Sequence, residues 1–186
     1  MDSEQIKEWM ALEKSARDLV RQGAMPVAIG LKRLFQILAL PSFDGLLGWE
    51  IFQKVSRSNE KSCFAVRTLW CRDEDAAKLE SPIERLKYPR DLEPTIRAET
   101  IELDTVIVDS FLDRLKAIRI PIFLDNPRFG TDGTCYEFSF GQLFLGVRYR
   151  WWEEPPNEWK PLSDTVLEIL RYLESLPGRE KDKKLW

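Results

Sequence analysis

The chain contains no histidine. Imidazole is therefore missing as base, as nucleophile partner and as metal ligand. Ser-His-Asp and Cys-His mechanisms within this chain are excluded, as are His-ligated zinc and iron sites. Any general acid or base must be a carboxylate, lysine, tyrosine or cysteine. Cysteine is scarce as well, with Cys63, Cys71 and Cys135. An odd number at irregular spacing, without Cys-x-x-Cys, predicts reduced thiols in a cytoplasmic protein. If Cys63 and Cys71 share one extended strand they stand about 26 Å apart, too far to bind one metal. Neither G-x-x-x-x-G-K-S/T nor G-x-G-x-x-G occurs, so nucleotide-dependent chemistry has no supporting motif. No apolar run reaches the length of a membrane span. The polar start M-D-S-E-Q-I-K-E-W does not read as a signal peptide. A charge excess is also missing: 28 basic and 31 acidic residues are interspersed, for a net charge of −3. The basic patch of a nucleic-acid binder is not evident. These absences predict no cofactor, no nucleic acid and no membrane among the partners.

What is present is an ordinary globular composition, 44% hydrophobic over 186 residues. It predicts one domain over 1–186, with a flexible tail from about 178. The organising stretch runs from Gly130 to Pro161. Two alternating runs flank Gly141-Gln142, and glycine at the first central position suits a type II′ turn. With those two residues as the loop, Phe140 faces Leu143, Phe138 faces Leu145, Tyr136 faces Val147 and Thr134 faces Tyr149. One face of this hairpin is then apolar and core-forming. The other carries Cys135, Glu137, Ser139, Phe144, Arg148 and Arg150. A one-residue slip would mix the two sets, so the register is well specified.

Elsewhere, residues 4–22 have a helical period, with Ile6, Trp9, Met10, Ala16, Leu19 and Val20 as the apolar stripe. Ser3 or Asp2 is placed to cap this helix and Gly23 to end it. Leu31, Leu34, Phe35 and Leu38 fit a second helix that stops before Pro41. Residues 49–56 and 63–71 form a hairpin around a polar turn. A connecting region with a helical turn follows over 72–94. Residues 95–103 are strand-like, and Asp104 caps a helix running to about Lys116. Asp109 and Asp113 on that helix read as solvated charges. Pro155-Pro156 stops strand pairing. Ser163 caps a last helix whose Leu162 and Leu167 form a hydrophobic staple, and Pro177-Gly178 ends it. This order predicts an α+β fold: a mostly antiparallel sheet built from hairpins, with helices packed on one face.

The segment D-G-T-C-Y-E-F-S-F-G (132–141) is followed by R-Y-R-W-W-E-E-P-P-N-E-W-K-P-L (148–162). Together they resemble a pattern in uncharacterised bacterial proteins, D-G-T-x-Y-E and then W-W-x-x-P-P-x-x-W-x-P-L before a final helix. P-I-F-L-D (121–125) is a weaker echo. The resemblance covers the last third of the chain and implies no activity, so no residue role is carried over. Small proteins of this style are similar in type to immunity proteins, which block a toxin by surface complementarity.

Three functional readings follow. The first is a non-enzymatic protein-interaction module, its partner contact carried by Arg148, Arg150 and Trp152 with Glu137 beside them. Tryptophan and arginine are enriched at interface hot spots, although the same residues can simply stack on one another and on the final helix. The second is a carboxylate enzyme holding a divalent metal on Asp132, Glu153 and Glu154, with Asp125 nearby. The third is a small-ligand sensor with an aromatic pocket between the sheet and the final helix, near Trp159. Cys135 beside Arg148 would gain thiolate character, but it lacks a base or a second thiol.

Overall fold

A computed structural model describes residues 3–23, 31–56, 58, 60–81, 92–121, 132–142 and 145–176. The expected tail, Asp2, Asp125, Leu143, Phe144 and the Pro177-Gly178 stop lie outside the described residues. The elements in chain order are α1 (Ser3–Gln22), β1 (Leu31–Pro41), β2 (Leu47–Val55), β3 (Lys61–Trp70) and α2 (Arg72–Glu80). They continue with β4 (Ile96–Leu103), α3 (Thr105–Ala117), β5 (Thr134–Gln142), β6 (Leu145–Trp152), a 3₁₀ turn (Asn157–Trp159) and α4 (Lys160–Ser175).

The fold is α+β, and six strands among the described residues form one antiparallel sheet in the order β4-β3-β2-β1-β5-β6. The first four strands make a meander. The chain then leaves the β4 edge through α3 and re-enters beside β1. β1 is therefore a central strand, not the helix its spacing suggests. The run from Phe35 to Leu40 is buried without interruption. A continuous apolar run fits a strand covered on both faces as well as a helix, and periodicity cannot separate the two. Pairing with β2 on one side and β5 on the other decides between them.

The helices occupy both faces of the sheet, not one. On the first face, Phe35, Ile37, Trp49, Ile51 and Phe138 pack under Val108 and Phe111 of α3 and Val166, Ile169 and Leu173 of α4. On the second, Leu38, Leu40, Trp70 and Cys135 pack under Leu12, Ala16 and Val20 of α1 and Leu79 of α2. The reason lies in β1, where odd and even positions are both apolar, so each side needs a cover. Each fully buried aliphatic side chain contributes about 1.5–3 kcal/mol. The stripe of α1 is turned from the expected one: Trp9, Ala16 and Val20 face inward, while Ile6, Met10 and Leu19 are exposed. Gly48 permits the close approach of α1, because a Cβ there would meet Val20 Cγ1 at 3.0 Å and Leu38 Cδ2 at 3.1 Å.

The ends of the helices follow local chemistry. Gly23, at φ +80°, donates its N–H to Leu19 O at 3.1 Å and closes α1. The Asp104 side chain accepts the Val106 N–H at 2.8 Å and caps α3. α4 departs from expectation: it starts at Lys160, behind the 3₁₀ turn, with Pro161 in its first turn. Ser163 is thus inside the helix and buried, and its Oγ has no hydrogen-bond partner. The proposed staple loses its N′ and N4 positions with it.

α2 is fastened by a buried carboxylate. Asp75 accepts from Trp70 Nε1 and the Thr95 N–H, each at 2.8 Å, from Thr95 Oγ1 at 2.5 Å and from Lys78 Nζ at 2.9 Å. Burial alone would raise its pKa. The hydrogen bonds from Thr95, Lys78 and Trp70 outweigh that and hold the carboxyl below its ordinary value.

Candidate functional site

The β5–β6 hairpin forms with its turn two residues later than the Gly141-Gln142 placement. Gly141 pairs with Gly146 and Gln142 with Leu145, so both residues of the expected turn belong to the ladder. Phe138 therefore faces Tyr149 and Tyr136 faces Trp151. A shift of two keeps the parity, so each side chain stays on the face the alternation assigns. Tyr136, Phe138 and Trp151 are buried beneath α4 and its neighbours. Phe140 and Val147, expected in the core, are 43% and 38% exposed. They lie on the correct face but toward the loop end of the hairpin.

The opposite face is largely engaged within the protein. Glu137 is only 2% exposed. It sits between two guanidinium groups, one of them from the other end of the sequence. Arg21, in the last turn of α1, donates Nη2 to Oε1 at 2.5 Å and Nε to Oε2 at 3.3 Å. Arg150, directly opposite on β6, brings its Nε to 3.5 Å from Oε1. The arginine of β6 that reaches Glu137 is thus Arg150, directly across the ladder, rather than Arg148. Arg150 Nε also donates to Cys135 Sγ at 3.0 Å, so the thiol's cationic neighbour is Arg150, not Arg148. Trp152 donates Nε1 to Asp132 O at 2.7 Å and packs half-buried against the α1-side core. Arg148 is exposed and pairs across the ladder with Ser139.

A second buried polar group continues this row beneath the end of α1. Gln36 on β1 donates Nε2 to Arg21 O at 3.0 Å, supplying a donor to a carbonyl of the last turn. Glu50 on β2 pairs with Arg33 at 2.8 Å. The Glu50 carboxylate also occupies the space where a Gly23 side chain would begin.

At the open end of the hairpin, Asp132 and Glu154 are exposed, and the Glu153 carboxylate lies against Gly133, whose φ is +111°. Asp132, Glu153 and Glu154 do not converge: among the described residues no group of three or more acidic or cysteine side chains is arranged to hold a metal. Burial raises the pKa of Tyr136, outweighing a hydrogen bond with Thr134, and Glu153 adds to the rise. Cys63 is buried, and burial and then Asp109 push its thiol upward. Trp159 packs edge-on against Tyr149, ring centroids 5.4 Å apart, and donates Nε1 to Pro121 O at 3.0 Å. It braces the hairpin and the segment after α3.

A cleft of about 450 Å³ opens between the sheet and α3. Its floor is formed by Leu34 and Phe35 of β1 with Phe138, Phe140 and Tyr149 of the hairpin. A register shift between Arg33 and Phe35 puts Leu34 at a bulge, so two successive apolar residues of β1 reach the same space. Leu112 and Leu115 of α3, then Ile118 and Ile120, form the opposite wall. Leu162 is the contribution of α4. Polar groups gather at the mouth, including Lys32, Lys61, Lys116 and Asp109. The aromatic pocket expected near Trp159 is thus displaced toward α3, with Tyr149 between the cleft and Trp159. Local spacing could not reveal this cleft, because its floor depends on β1 being a strand. The detectable signal was the lysine-bearing, non-alternating start of that segment.

Comparison with family models, with curated proteins and with solved structures gives no match. Among the described residues no helix is long and apolar enough to cross a membrane.

Proposed function

We propose that this protein is a non-enzymatic binding protein whose site is the cleft between α3 and the sheet, and whose ligand is small and largely apolar. One observation carries the reading: an apolar cleft of about 450 Å³ with a few charged groups at its mouth. Pockets that bind small organic ligands run from about 300 to 1,000 Å³ and are mostly apolar with a few placed polar groups. The exposed ring of Phe140 at its end adds apolar surface that a ligand would cover. The docking reading of Arg148, Arg150 and Trp152 has weaker support, since Arg150 is bonded to Cys135 and Glu137 and Trp152 to Asp132. Cys63, Cys71 and Cys135 are not joined in disulfides, which favours a reducing, cytoplasmic setting.

The test is titration with Nile red, a neutral dye whose emission rises in apolar surroundings. Saturable binding to the folded protein is expected, and Leu115→Trp, which fills the cleft from α3, should abolish it without lowering the thermal midpoint. Absence of saturable binding, or unchanged binding in the folded variant, refutes the cleft as the site.

A further inference from the structure

We infer that the ligand of this cleft is an anionic amphiphile, an apolar body ending in one carboxylate, with its head held at the mouth by Lys32 and Lys61. This rests on the proposal that the cleft is the binding site, and adds the chemical class of what enters it. The register places both ammonium stems on the cleft face. Lys32 on β1 is opposite Gln53 on β2, and Gln53 is opposite Cys63 on β3. Gln53 shares a face with Ile51, which is in the core below α3 and α4. Lys61 shares a face with Cys63, in the same core. Both lysines are exposed and line the cleft, and neither forms a hydrogen bond or ion pair with a described residue. Lys116, across the mouth on α3, is instead paired with Asp113 at 3.0 Å.

The local charge runs against that of the whole chain. The protein carries a net −3, yet three lysines and one aspartate line this cleft. Lys32 and Lys61 are point charges on flexible stems, suited to follow a single carboxylate without demanding a planar fork. The apolar floor between β1 and the hairpin takes the body of the ligand, and Asp109, which like Lys61 lies within electrostatic reach of Cys63, offsets one of the lysine charges and leaves a net positive mouth. Head and tail therefore have separate places in the cleft.

Calorimetric titration of the full chain with decanoate, decanol and decylamine tests this, alongside Nile red. Decanoate is expected to bind about tenfold more tightly than decanol, given two solvent-exposed ammonium groups, and decylamine more weakly than either. The preference should shrink as salt is added. In K32E/K61E, and in the milder K32Q/K61Q, decanoate should lose its advantage while Nile red still binds. Equal binding of decanoate and decanol with dye binding intact overturns the anionic head and leaves the cleft standing. A decanoate preference that survives both double variants also overturns it. If neither the dye nor any of the three ligands binds, the cleft itself is not the site and the inference falls with it.

Discussion

Replacing Arg21 with alanine tests whether the hairpin's polar face is an internal contact or a free surface. Truncating one side of a buried ion pair costs about 3–5 kcal/mol, because the remaining charge is stranded. Glu137 meets that condition at 2% exposure, but Arg21 is 25% exposed and Arg150 still stands 3.5 Å from Oε1. Water reaching the vacated site and the second guanidinium reduce the loss to about 2–3 kcal/mol. For a chain of this size that corresponds to a fall of roughly 5–10 °C in the thermal midpoint. Arg150 is 55% exposed, so Arg150→Ala should cost only about 0.5–1 kcal/mol. Urea unfolding followed by fluorescence and circular dichroism reads both: the midpoint should fall with the slope retained. A double replacement, Arg21→Met with Glu137→Leu, should recover much of the Arg21→Ala loss, since it removes both charges at once. The reasoning is refuted if Arg150→Ala costs as much as Arg21→Ala. It is refuted equally if Arg21→Ala stays within about 0.5 kcal/mol of the parent, since Glu137 would then not depend on α1.

Three further outcomes follow from buried groups. The depressed pKa of Asp75 gives a stability contribution that is complete above the ordinary carboxylate value of about 4, and it is lost as pH falls through the lower folded value. Asp75→Asn should therefore flatten the acid limb of a plot of urea midpoint against pH. If that limb is unchanged, Asp75 is not its source. Gly48→Val should destabilise by about 1–3 kcal/mol in chemical unfolding, because the new side chain meets fully buried Val20 and Leu38. Ser163→Ala should leave the midpoint unchanged or raise it, because the serine hydroxyl is buried without a partner. A loss of about 1 kcal/mol would instead indicate that Ser163 acts as a helix cap.

The loop and cleft corrections share one cause. Alternation in 134–152 assigns each side chain to a face, and a turn misplaced by two residues leaves that assignment intact. The polar face was therefore legible, whereas the partners across it were not. Arg21 lies 116 residues from Glu137, and no local spacing connects them. Likewise, Lys32 and Lys61 acquire a common face only through two antiparallel ladders.

By itself the sequence determined the features set by short-range chemistry. These were the absence of imidazole chemistry, the strands with their two-residue alternation, the Asp104 cap, and the glycine that ends α1. They are readable because each depends on groups a few residues apart. Tertiary structure alone decided that Leu31–Pro41 is a central strand, that the sheet is covered on both faces, and that a cleft opens beneath α3. A doubly apolar run is equally compatible with a helix and a covered strand until its neighbours arrive, and those neighbours come from distant parts of the chain. The hairpin's alternation chose its faces. Packing of α1 against one of them then converted Glu137 and Arg150 from surface candidates into an internal brace.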